Sequence, residues 1–221
     1  MNSIPARRPR PPVRPSPSVT EILTRPPDLA PAMHTTLAAI DIAAFGDRRR
    51  DDEIQLRLRR QMYALLAEAC AMGSLPWWDC HREDRGDGAL FVAPQQVPAE
   101  LFLDPLAHHL TAVLRRYNRL AGDTVRLRLR LAVHSGLVHH DDHGVAGHAV
   151  VHLFRLLESG AFKRALDGAA TDFGLIVSDR LYGDITGGNG SLIDAGAYRE
   201  LRVTSKETRT RAWTWFPTPR T

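Results

Sequence analysis

Two acidic signatures carry the residues best suited to chemistry in this chain. Asp41 stands in Ile40-Asp41-Ile42, at the end of the apolar run Leu37-Ala38-Ala39-Ile40, with Phe45 and Gly46 just beyond. Asp87 stands in Gly86-Asp87-Gly88, where a turn leads directly into Ala89-Leu90-Phe91-Val92. Both flanking runs are apolar enough to be buried strands, and an ionised carboxylate beside a core is costly unless something neutralises it. If the strands lie side by side the carboxylates converge, and a divalent cation is the simplest neutraliser. Paired Asp ligands on a sheet are a means of holding Mg²⁺ for phosphoryl or nucleotidyl transfer.

The elements that must position these residues follow from periodicity. Residues 35–42 read as a buried strand, and a charged turn from Asp47 to Asp52 leads into a helix over about 51–72. Ile54, Leu58, Met62, Leu65, Leu66 and Ala69 recur there at helical spacing. Residues 77–92 read as a hairpin turning at Asp84-Arg85-Gly86-Asp87-Gly88. Pro98 opens a second helix over about 99–120. From Val125 to His134, Leu127, Leu129, Leu131 and Val133 alternate with Arg126, Arg128 and Arg130, the pattern of a sheet with one covered face. A helix over about 148–158, a strand at Leu175-Ile176-Val177 and a closing β-pair (198–203 and 211–216) complete the order. This β-α-β-β-α-β series predicts an α+β, ferredoxin-like, palm-type sheet with helices on one face and extra C-terminal β-α-β elements.

The 221 residues suit one domain with an appendage. Residues 1–33 are rich in Pro and Arg and read as an extended, disordered arm; 34–217 form the domain and 218–221 a tail. The arm holds three of the four net positive charges, so the domain carries no broad electrostatic footprint for nucleic acid. No run is long and apolar enough for a membrane span. Cys70 and Cys80 offer no disulfide framework, which fits a reducing cytoplasm. His139-His140-Asp141-Asp142-His143 has the residue types for zinc but reads as a polar hairpin tip, and His134 as a satisfied interior histidine. The Gly-x-Ser-x-Gly elbow and the phosphate-binding Gly-x-x-x-x-Gly-Lys loop are both missing, which excludes those hydrolase and nucleotidase classes.

Five pieces, in order, resemble the class III nucleotidyl cyclases, the catalytic domain of adenylate and guanylate cyclases. Ile40-Asp41-Ile42-x-x-Phe45 and Gly86-Asp87 are similar to the family's two metal motifs. Arg130-Leu-Ala-Val-His134-Ser135-Gly136 resembles its Arg-x-Gly-x-His-x-Gly strand, with Ala132 for the first glycine. Gly147-His-Ala-Val150-Val151-x-x-x-Arg155 resembles its dimerisation and catalytic helix, and Lys206 before Ala212-Trp213-Thr214-Trp215 its closing pair.

The resemblance implies conversion of an NTP to a 3′,5′-cyclic mononucleotide and pyrophosphate, with two Mg²⁺ or Mn²⁺ ions held by Asp41, Ile42 and Asp87. It implies phosphate binding by backbone N–H groups from Ala43, Ala44, Phe45 and Gly46, nucleotide contacts from Glu83 and Lys206, and a transition-state contact from Arg155. It also implies a head-to-tail homodimer in which metals and Arg155 come from opposite subunits. Departures mark the pattern. Val151 replaces the transition-state Asn, leaving His148 or His152 on the same stripe to supply a donor. Glu83 and Gly144 replace the base-reading pair, so no base is specified and pyrimidines stay open, and Leu137 replaces an Arg. The alternatives are a catalytically degenerate regulatory module that binds nucleotide or a partner, and a palm-type nucleotidyltransferase. A stand-alone cyclase domain would also suit a phage-defence signal generator.

Overall fold

The computed structural model describes residues 31–187 and 193–218. The expected arm and tail therefore lie almost wholly outside the described residues. The first strand, β1 (Met33–Ile42), is followed by α1 (Asp52–Met72), the hairpin β2 (His81–Asp84) and β3 (Gly88–Val92), then α2 (Glu100–Leu103) and α3 (Leu106–Asn118). Next come β4 (Leu129–Asp141), β5 (Gly144–Ala146), α4 (His148–Leu157), α5 (Gly160–Gly168), β6 (Phe173–Ser178), α6 (Asp179–Thr186), β7 (Arg199–Ser205) and β8 (Thr208–Trp215).

These strands form an 8-stranded mixed sheet ordered β2-β3-β1-β4-β6-β8-β7, with β5 folded back on the end of β4. β1 is central and antiparallel to both β3 and β4, while β4 and β6 run parallel. This is the expected α+β palm. The two long helices of its βαββαβ core, α1 and α3, cover one face through Leu58, Met62, Leu65, Leu110 and Leu114. The later helices α4 and α5 cover the other through Leu153, Leu156, Leu157 and Phe162.

Three elements differ from the sequence expectation for identifiable reasons. The helix expected over 99–120 breaks at Asp104, which is extended (φ −146, ψ 120) ahead of Pro105, because the proline ring disfavours helix at the preceding residue. The strand expected from Val125 begins at Leu129: the Asn118 side chain bonds both the N–H and the C=O of Leu127, replacing a ladder partner. Helix α5 was not anticipated, since its nine residues bury only Phe162 and Leu166.

Candidate active site

Strand alternation decides which face Asp41 reaches. Leu37 and Ala39 join the core beneath α4 and α5, Ala38 and Ile40 the opposite one, so Asp41 points to the α4/α5 side. Its register partner across the β1/β4 pair is Arg130. Arg130 Nε donates to Asp41 Oδ1 at 2.7 Å and its Nη2 to Oδ2 at 2.8 Å. The two side chains are only 10% and 12% exposed. Burial pushes the Asp41 carboxyl above its ordinary value; the hydrogen bonds and charge of Arg130 oppose it, Asp87 adds to it and Lys163 counters it. Within the row of alternating arginines, Arg130 is thus not a solvated charge. With both partners buried, the counter-ion of Asp41 is the fork of Arg130.

Asp87 sits exposed in the β2/β3 turn, next to Gly88, the register partner of Asp41. A Cβ at Gly88 would lie 2.1 Å from Ile40 O, so only glycine permits this approach. The turn is anchored by Asp84, which accepts from Gly86 N–H at 2.8 Å and Tyr63 O–H at 2.8 Å and pairs with Arg59 on α1. Ile42 N–H donates to Asp87 O at 3.0 Å, tying the two acidic segments together.

The loop after β1 corrects one expectation. Ala43 N–H is already engaged, donating to Arg128 O at 2.8 Å, which leaves Ala44, Phe45 and Gly46 as the loop's candidate phosphate donors. Ala44 adopts the left-handed conformation (φ 54). Arg50, which periodicity gave no reason to single out, holds this loop: its Nη1 donates to Ala44 O at 2.8 Å and Ala43 O at 3.2 Å, and its Nη2 to Arg126 O at 2.9 Å.

On α4 the catalytic candidates separate. Arg155 is 15% exposed at its side chain and donates to Glu207 in the β7/β8 turn at 2.9 Å, while its Nε is buried without a partner among the described residues. Lys206 occupies the same turn with φ 52. Val151, one helical turn before Arg155, is 48% exposed. His152 faces the sheet instead: its ring lies 4.8 Å from that of His134, whose Nδ1 is 2.8 Å from Ser178 Oγ. Burial lowers the pKa of both imidazoles, that of His134 to about 4.

The positions expected to read the base meet directly. Glu83 Oε1 accepts from Val145 N–H at 2.7 Å and lies 3.0 Å from His81 Nε2, and Oε2 pairs with Arg85 at 2.5 Å. Burial pushes Glu83 upward, but the contacts of His81, Val145 and Arg85 outweigh it and hold the carboxyl below its ordinary value. Gly144 (φ +125) makes the room: a Cβ there would lie 2.3 Å from Glu83 Oε1.

Among the described residues no group of three or more His, Cys, Asp or Glu could hold a metal ion alone. A carboxylate at a strand end and another in the adjoining turn suit a hard cation that arrives on a nucleotide's phosphates, as Mg²⁺ does, and not an all-protein cage. The donor set fits on condition that Arg130 yields part of its hold on Asp41.

No protein-family model matches the sequence, and none of the curated proteins does. Solved structures match throughout. An adenylate/guanylate cyclase/hydrolase from Silicibacter pomeroyi is 18% identical with a TM-score of 0.61, over 86% of this chain and 100% of that one. The guanylate cyclase domain of RhGC from Catenaria anguillulae, in complex with GTP, is 15% identical with a TM-score of 0.58, over 84% and 97%. A non-canonical dimeric guanylyl cyclase domain of the RhoGC fusion protein from Blastocladiella emersonii is 18% identical with a TM-score of 0.57, over 84% and 98%. With Asp41, Asp87 and Arg130 at one end of the adjoining β1, β3 and β4 of such a sheet, the chain has the fold of the class III adenylate and guanylate cyclase domains, far diverged in sequence.

Proposed function

We propose that this chain is a nucleotidyl cyclase that converts an NTP to a 3′,5′-cyclic mononucleotide and pyrophosphate, working as a head-to-tail homodimer. The observation that carries the reading is the charged end of β1, β3 and β4, where Asp41, the fork of Arg130, the Asp87 turn and the Ala44–Gly46 loop adjoin within a cyclase fold.

Asp41 and Asp87, with the Ile42 main chain, would hold Mg²⁺ or Mn²⁺, two ions per site. Bound there, the ions would acidify the ribose 3′-hydroxyl and offset charge on the triphosphate. The N–H groups of Ala44 to Gly46 orient the outer phosphates, and Arg50 fixes that loop by its carbonyls. Arg155, reaching the partner's site, exchanges Glu207 for the α-phosphate; its buried Nε, unpaired among the described residues, is the donor with most to gain. Glu83, already accepting from three donors, orders the base-facing hairpin, and Lys206 would add a nucleotide contact from the β7/β8 turn.

One observation favours the second reading, a degenerate nucleotide- or partner-binding module: Val151 presents a half-exposed apolar side chain where a hydrogen-bond donor would be required. Metal linkage tests the site itself. Mn²⁺ with nucleotide should raise the unfolding temperature of the wild type, and Asp41→Ala and Asp87→Ala should each remove most of the rise. An equal rise in both variants would refute the ligand assignment.

A further inference from the structure

Arg128 and Arg130 follow the alternation that points to the α4/α5 side, and they and the exposed Arg126 before them each take a different carboxylate. Arg126 takes Asp172, Arg128 takes Asp167 at the end of α5, and Arg130 takes Asp41. Arg128 Nη2 also donates to Leu166 O at 3.0 Å, which fixes where α5 lies along the strand.

Helix α5 leads through a short turn into β6, which is parallel to β4, so α5 runs antiparallel to β4. One turn back from Asp167 is Lys163, on the same helical stripe. One turn is about 5.4 Å and two strand residues about 6.6 Å, so with Asp167 at Arg128, Lys163 is displaced along the helix in the direction of Arg130 and Asp41. Its charge accordingly acts on the Asp41 carboxyl. Lys163 is half-buried, and among the described residues its ammonium makes no hydrogen bond or ion pair. A half-buried ammonium with unfilled donors, near a carboxylate already paired with an arginine fork, is arranged for a second anion.

We propose that Lys163 is a phosphate-binding residue of the Asp41 site, acting in the same subunit as Asp41 and Asp87. This rests on the cyclase reading and adds to it a contact from α5. When the substrate's phosphates and their cation approach Asp41, Lys163 supplies a cation that is not committed to a protein carboxylate. Charge at the edge is balanced without ligand, with Asp41 and Asp87 against Arg130 and Lys163, so a phosphate chain arriving with its divalent ions finds an ammonium free to follow it.

Equilibrium binding of inorganic tripolyphosphate in Mn²⁺ tests this without requiring turnover. Lys163→Met should weaken binding about tenfold or more, Lys163→Arg should recover most of it, and neither should shift the unfolding temperature by more than a degree or two. Wild-type affinity in Lys163→Met, or no tripolyphosphate binding by the wild type, overturns the proposal. A second arm reads the subunit. Mixing Asp41→Ala with Lys163→Met chains should give no recovery of cyclic product, because no site in the mixed dimer is intact, whereas Asp41→Ala with Arg155→Ala should recover some. Recovery in the first mixture overturns the assignment to one subunit. Absence of cyclic product from the wild type with every NTP would remove the cyclase reading alone, since tripolyphosphate binding reports on Lys163 separately.

Discussion

Arg130 grips both oxygens of Asp41 across the β1/β4 pair, at 2.7 and 2.8 Å, with almost no water at either side chain. Breaking a buried pair by removing one partner leaves an uncompensated charge and costs about 3–5 kcal/mol. Arg130→Met should therefore destabilise the chain by that order, and Asp41→Asn with Arg130→Met should restore much of it. Urea denaturation of the three variants checks this. If the double variant is no more stable than Arg130→Met alone, the two residues do not act as a pair.

Gly144 and Glu83 are coupled by space. Gly144→Ala forces a Cβ against the Glu83 carboxylate at a backbone angle that L-residues rarely adopt, and should destabilise by about 1–3 kcal/mol. Glu83→Ala in the Gly144→Ala background should relieve the steric part. Unfolding midpoints decide it, with equal midpoints for Gly144→Ala and wild type as the contrary result.

His134 is held neutral by burial, with His152, Arg180 and His34 adding to the effect, so its pKa falls from 6.5 to about 4. A histidine depressed in the folded state leaves the unfolded chain binding more protons between those values. Stability is complete above pH 6.5 and is lost as pH falls toward 4, by about 3 kcal/mol for this group. His152, lowered in the same direction, adds to it. His134→Gln should flatten the stability-versus-pH curve across that window; an unchanged slope would mean that His134 is not the group responsible.

Much of this fold was legible because apolar periodicity is local. Leu37 to Ile42 and Ala89 to Val92 announce buried strands, and the hairpin at Gly86-Asp87-Gly88 carries its own turn chemistry. Arg130 was legible as part of an alternating strand but not as the partner of Asp41, because a pairing across 89 positions depends on register. The same holds for Lys163: α5 offers only Phe162 and Leu166 as apolar anchors, too few for a period to show. Arg50 lay hidden in a charged turn, where its contacts are all to main-chain carbonyls that no side-chain pattern reveals.

Val151 separates a weakened enzyme from a binding module. Half-exposed and one turn from Arg155, it can become Asn without disturbing the core. If the missing donor limits turnover, Val151→Asn should raise it at least about tenfold, since one oriented donor of this kind is worth roughly 2–4 kcal/mol. His152, packed on His134, is poorly placed to supply that donor, so His152→Ala should alter stability more than rate. A large fall in turnover with unchanged stability in His152→Ala would reverse that assignment.

Product analysis of the purified chain in Mn²⁺ with each of the four NTPs, read by mass spectrometry, is the most direct test of a cyclase. Slow formation of a 3′,5′-cyclic mononucleotide with pyrophosphate is expected from at least one NTP, abolished by Asp41→Ala, Asp87→Ala or Arg155→Ala. No cyclic product from any NTP, or product that persists in all three variants, would contradict it.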